Sequence, residues 1–231
     1  MQFIESTAMG VRSAVITLGR RTTPLTFVLF PMVHVGRRSF YDEVASRASA
    51  CDLIVAEGGP DAPPAQARMA RLRWDDQVDQ LNALDLESLG VPVIWEGGDT
   101  RPAEERARDR EARSTRDRIL ETAVDSAFAL GLRALGRYGD PRDRPGVDQV
   151  DMHDRWVPEG GIGGFLERKI LAERDRRLVR TLGTIHRERH HEPVKVAVVW
   201  GAAHMTAVVD ALRTDFRYVV RHAEWITVTS H

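Results

Sequence analysis

Apolar positions in this chain fall into two kinds of run. Leu25–Phe30, Leu53–Ala56, Val91–Trp95 and Lys195–Trp200 are short and nearly unbroken. Runs of that kind suit strands buried on both faces of a parallel sheet. Between them lie stretches where apolar residues recur every three or four positions, the spacing of a helix with one buried face. Ser39 opens one, with Phe40, Val44 and Ala48 inward and Asp42 as a short-armed capping-box partner. Gln66–Leu84, Ile119–Leu135 and Ile162–His190 are others, and from Ala202 onward Met205, Val208, Val209 and Leu212 repeat the pattern. Phe3–Glu5 and Ala14–Leu18 read as two further strands. The turn at Arg20–Pro24 makes an antiparallel start with Leu25–Phe30. Tyr218–Val220 and Trp225–Val228 supply one or two last strands. The pattern predicts one α/β domain over residues 1–231, with a mixed, largely parallel central sheet flanked by helices.

Four of these strands end in residues that carry chemistry. Leu25–Phe30 runs into Pro31-Met32-Val33-His34, Leu53–Ala56 into Glu57, Val91–Trp95 into Glu96, and Lys195–Trp200 into Gly201-Ala202-Ala203-His204. In a parallel sheet these ends share one edge, the carboxyl edge, where open α/β sheets bind their ligands. Glycine at 201 lets the chain turn sharply and brings backbone close to whatever binds. On Ile162–His190, the apolar stripe of Leu171, Leu178, Leu182 and Ile185 contains Arg174, with Asp175 at its border and Glu173 pointing away. An arginine on a core-facing stripe needs a partner, since burying it unpaired is costly. Asp175 or Glu57 is the expected one, and the arginine is then either a tether or a fixed cation for a developing anion. If His204 and Glu57 belong to a site as exposed strand-end residues, replacing either should cost little stability; if they are buried structural groups, the loss should be about 1–3 kcal/mol.

These residues resemble a known family. P-M-V-H with the following Ser39–Val44, L-I-V-A-E at Leu53–Glu57, E-R-D at Glu173–Asp175 and V-V-W-G-A-A-H ending at His204 are together similar to the TraB, GumN and Tiki superfamily. They look more distantly like the erythromycin esterases and the ChaN haem-binding proteins. Of the family's two G-x-x-H motifs the second is intact at Gly201–His204, whereas Pro31 stands where the first has glycine. The resemblance implies a hydrolase, metal-dependent in some members, with His34, Glu57, Arg174 and His204 as catalytic residues and Glu96 and Asp175 toward the substrate. His34, Glu57 and His204 would be the ligands of a divalent ion such as zinc, manganese or cobalt. The implied substrate is a small molecule or a peptide. The ChaN-like branch leaves a second class open, a non-catalytic binder of haem or a small molecule.

Composition narrows the partners. Of 33 basic residues only Lys169 and Lys195 are lysine, and the formal net charge is −1. The dense opposite charges of Glu104–Arg118 cancel locally, the mark of a solvated helix face. Neither feature suggests a nucleic-acid surface. No stretch reads as a membrane span or a signal peptide, so the expected compartment is the cytoplasm. Cys51, the one cysteine, excludes an intrachain disulfide and reads as a buried thiol after the first helix. Asp99 reads as a helix cap ahead of Arg101. Tyr138–Gly161 reads as a long loop whose Asp151-Met152-His153-Asp154 is solvated. His186, His190 and His191 read as a surface cluster suited to a helix C-terminus.

Overall fold

Residue Trp200 lies next to the last position of the central strand, and the sheet is best described outward from there. The computed structural model describes residues 1–33, 35–58, 79–80, 84–96 and 162–230. The elements are β1 (Ile4–Thr7), β2 (Gly10–Arg20), β3 (Thr23–Met32), β4 (Val35–Gly36), α1 (Arg38–Ser49) and β5 (Leu53–Ala56). They continue with β6 (Asp79–Gln80), β7 (Val93–Trp95), α2 (Ile162–Arg189), β8 (Lys195–Gly201), α3 (Met205–Thr214) and β9 (Val219–Ser230). The main sheet runs β1-β2-β3-β8-β5-β7, with β9 along the other edge of β2.

Its two halves differ in direction. β8 is parallel to β3 on one side and to β5 on the other, and β5 is parallel to β7. β1, β3 and β9 all pair antiparallel with β2. The protein is therefore an α/β fold with a mixed sheet, parallel in its core and antiparallel at one flank, as the apolar runs predict. The register puts Phe27, Leu29 and Pro31 of β3 on the same face as Val196, Val198 and Trp200 of β8. That face carries α2, because Arg174 of α2 lies over the Trp200 ring and Phe27 packs edge-on against Tyr218, which bonds His186 of α2. From Val196 to Trp200 β8 is buried at every position, so both faces of the sheet are covered there.

Most elements lie where the periodicity puts them, and four details differ. α1 begins at Arg38, one residue early, and its N-cap Arg37 makes no side-chain cap, so the Asp42 capping box is not formed. Asp42 instead faces Arg38 across an exposed 3.8 Å ion pair. Asp79–Gln80 is a short strand antiparallel to Val35–Gly36, inside the stretch whose spacing predicts a helix over 66–84. The last two predicted strands are one, β9, with register shifts along β2 that let it bend without a break. Cys51 follows α1 and is buried, and burial pushes its thiol up to about 11. The helix expected over 119–135, the Glu104–Arg118 run, Asp99, Arg101 and Asp151–Asp154 lie outside the described residues. Among the described residues no helix is long and apolar enough to cross a membrane.

Candidate functional site at the carboxyl edge of the parallel strands

The ladder itself sets the carboxylates side by side. Ala56 of β5 is level with Val199 of β8 and with Trp95 of β7. Glu57 and Glu96 are the next residues on their strands. The Glu57 amide continues the ladder to the Val199 carbonyl at 3.0 Å, and the Glu96 amide reaches the Gly58 carbonyl at 3.2 Å. Both side chains therefore leave the same edge as neighbours, an arrangement that needs a cation between them.

Arg174 supplies it. Leu178, Leu182 and Ile185 bury the inner face of α2, and Arg174 sits one turn before Leu178 on that same stripe. Its Nε donates to Glu96 Oε1 at 2.8 Å and its Nη2 to Glu96 Oε2 at 2.8 Å, a bidentate fork. The same Nη2 donates to Glu57 Oε1 at 2.6 Å. Asp175, a hundred degrees further round the helix, turns to His204 and meets Nδ1 at 2.6 Å. Two consecutive residues of α2 thus hold the ends of three strands. Arg174 binds carboxylates from β5 and β7, and Asp175 binds the histidine after β8.

His204 closes the cluster. It is the last residue of a short 3-10 turn, Ala202–His204, and stands immediately before α3 rather than within its first turn. Its Nε2 faces Glu57 Oε1 at 3.6 Å, beyond ordinary hydrogen-bond length. Its ring stands edge-on to Trp200 with centroids 5.1 Å apart. Glu57 Oε2 accepts the Gly201 amide. A Cβ at 201 would come to 2.9 Å of that oxygen, so any larger residue would push the Glu57 carboxylate away from the Gly201 amide.

Burial alone would discharge these groups, and their neighbours reverse that. Burial pushes the Glu57 carboxyl up, but the His204 imidazole beside it, the Arg174 charge and the Gly201 amide hold it down at about 2. Burial pushes the His204 imidazole down, yet Asp175 and Glu57 raise it to about 9 against the repulsion of Arg174. Arg174 loses some charge preference to burial, and the two glutamates more than restore it. At neutral pH His204 is an imidazolium and Glu57 a carboxylate.

Exposure separates the members. The side chains of Glu57, Glu96, Arg174 and Asp175 are 18–23% exposed, whereas that of His204 is 3% exposed. His204 is thus buried, contrary to the exposure expected of a strand-end residue, because the 3-10 turn folds it back beneath α2. Glu57 is half-buried and fully engaged. Arg174 finds Glu57, as expected, but its second partner is Glu96, and Asp175 serves His204 instead. Glu173 points away and pairs with Arg176 and Arg177 on the surface. His34 lies outside the described residues.

Of the three residues that the resemblance implies as metal ligands, Glu57 and His204 are described. Among the described residues no group of three His, Cys, Asp or Glu is arranged to hold one. The Glu57 oxygen nearest His204 already accepts from a guanidinium at 2.6 Å, and only a neutral imidazole has a lone pair to give.

Sequence patterning misses two contributors. Trp200 reads as one more core residue of β8, yet it lies under Arg174 and beside His204, and among the described residues its buried indole N–H has no hydrogen-bond partner. The Gly201 amide is the other; glycine at that turn signals close approach but does not say to what. No family model matches the chain, and neither a curated protein nor a solved structure matches it.

Proposed function

We propose that the chain is a hydrolase acting on an ester or amide of a small molecule or peptide, with His204 as proton donor and Glu57 as the paired acceptor. The observation that carries this reading is the His204 ring itself. Its Nδ1 is tied to Asp175 at 2.6 Å while its Nε2–H stands 3.6 Å from Glu57, too far to be spent on it. Asp175 fixes the orientation of the ring and leaves Nε2 as the nitrogen that acts. In the proposed step water adds to the substrate carbonyl carbon and the bond to the leaving group breaks. His204 Nε2 gives its proton to the leaving oxygen or nitrogen, and Glu57 takes the proton from the attacking water. Glu57 is a weak base while His204 is charged. Once His204 has given up its proton, the charge that holds the Glu57 carboxyl down is gone and its basicity rises. The proton then returns from Glu57 to Nε2 and the resting pair is restored.

Arg174 is a positioning residue in this scheme, since its Nε and Nη2 hold Glu57 and Glu96 in place. The resemblance of the strand-end motifs to the TraB, GumN and Tiki superfamily supports the reaction class. The metal route that the resemblance implies, through His34, Glu57 and His204, is the competing mechanism. Pro31, in place of the family's glycine, favours a different second reading, a protein that binds a haem or small molecule without turning it over.

A panel of p-nitrophenyl esters and chromogenic peptide amides, assayed with and without EDTA, tests the proposal. Turnover should survive EDTA and fall about a hundredfold or more in His204→Gln, the loss typical of removing a proton donor. Asp175→Asn should bring the alkaline limb of the pH profile below about 9. Turnover abolished by EDTA supports the metal route, and full turnover in His204→Gln removes His204 from the chemistry. Saturable haem binding with no turnover by the wild type supports the binder.

A further inference from the structure

The opposite end of α2 carries a second set of histidines, at the other edge of the sheet from the strand-end cluster. His186 and His190 are one helical turn apart, and although α2 ends at Arg189 the His190 amide still reaches the His186 carbonyl at 3.1 Å. Their ring centroids are 5.4 Å apart with planes tilted by 35°. Each ring has its Nδ1 occupied. His190 Nδ1 lies 3.1 Å from the His186 carbonyl and 3.3 Å from the Arg187 carbonyl. Carbonyls only accept, so this nitrogen carries the hydrogen and Nε2 of the neutral ring carries the lone pair. His186 Nδ1 lies 3.1 Å from the Tyr218 hydroxyl. The Thr23 hydroxyl donates to the His190 carbonyl. In the tautomer in which His186 Nδ1 donates to the Tyr218 hydroxyl, His186 Nε2 carries the lone pair. Among the described residues neither Nε2 has a hydrogen-bond partner.

We propose that His186 and His190 form a two-imidazole site for a divalent first-row transition ion, copper, nickel or zinc. Two histidines four residues apart on a helix are a recurrent chelating pair. With metal–nitrogen bonds of about 2.0–2.1 Å, two Nε2-bound rings sit with centres about 4.5 to 5.2 Å apart, depending on the angle at the metal. The observed 5.4 Å is close to that range. Fixing Nδ1 by a hydrogen bond is how metal-binding imidazoles are oriented. The helix C-terminus favours a cation beside it. Arg187 and Arg20 oppose one, though each is engaged, Arg187 with Thr184 and Arg20 with the Phe216 carbonyl. That balance disfavours calcium and magnesium, which bind through charged oxygens, and favours ions that bind neutral nitrogen. His191, whose ring lies 3.7 Å from that of His190, is the nearest further imidazole. The site is independent of the hydrolase reading.

Calorimetric titration of the full chain with copper, nickel and zinc chlorides, in a buffer that does not chelate, tests it. One ion should bind per chain, copper tightest. Affinity should fall at least tenfold in His190→Gln and in His186→Gln and stay unchanged in His204→Gln. Copper electron paramagnetic resonance should show nitrogen coupling that His190→Gln reduces; this readout holds even if His186→Gln loosens the Tyr218 contact. Binding undiminished in His190→Gln, binding lost only in His204→Gln, or no binding at millimolar metal would overturn the proposal.

Discussion

His204 and His186 are both held by α2, yet they are driven to opposite charge. Each has its Nδ1 engaged, His204 by a carboxylate and His186 by a phenol. Burial disfavours the charged form of both rings. At His204 two carboxylates overcome it and the ring is held charged up to about 9. At His186 burial comes first and the arginines nearby add to it, so the ring is pushed below its ordinary value. The more deeply buried histidine is thus the charged one. Depth alone does not decide a buried group's state; the sign of the nearest partners does.

The strongest test of that contrast removes the cation that keeps the carboxylates ionised. Arg174→Met should strand Glu57 and Glu96 beside one another at a cost of about 3–5 kcal/mol, the range for breaking a buried ion pair. For a chain of this size that lowers the melting temperature by about 6–20 °C. A thermal melt within two degrees of wild type would show that the carboxylates do not depend on Arg174.

A pH series gives the next largest effect. The folded His204 value lies above its ordinary 6.5, so its contribution is complete below 6.5 and disappears as pH rises through about 9. Glu57 has the reverse sign: its value lies below its ordinary 4.5, so its contribution is present above 4.5 and disappears as pH falls through about 2. Urea unfolding should show stability falling by roughly 3 kcal/mol across the alkaline window. His204→Gln should lose most of that slope. The two limbs share the His204–Glu57 attraction, so removing either residue should weaken both. A wild-type curve flat from pH 6.5 to 9 would contradict a charged His204.

The smallest effect is expected where charges face water. Asp42→Ala removes an exposed pair at 3.8 Å and no cap. Its unfolding free energy should stay within about 0.5 kcal/mol of wild type; a larger loss would mean that surface pairs matter here as buried ones do.

Much of the architecture is legible because burial imposes period. β8 has to be apolar on both faces, and α2 has to place Leu178, Leu182 and Ile185 on one stripe, so both stand out from their neighbours in the sequence. Arg174 is conspicuous for the same reason, as a charge inside an apolar stripe. What the pattern does not carry is partner choice. Whether Arg174 takes Asp175 or Glu96 depends on the register of β5 against β7, which no spacing within α2 encodes. The depth of His204 follows from a 3-10 turn of three residues, shorter than any period can reveal. Likewise the phenol that meets His186 lies beyond α3, so the histidine cluster reads as surface when α2 is considered alone.

The place of β8 in the sheet has a consequence for how the protein is made. β3 and β5 leave the ribosome early, but they do not touch along the sheet, since β8 lies between them. Until Lys195–Gly201 has been synthesised, each has an unpaired apolar edge where its central neighbour belongs. Closure of the parallel half is therefore a late, long-range event, slow by the rule that distant contacts delay folding. Until β8 emerges, the nascent chain is open to strand addition from other molecules along β3 and β5, and that interval is when chaperone protection of these strands matters most.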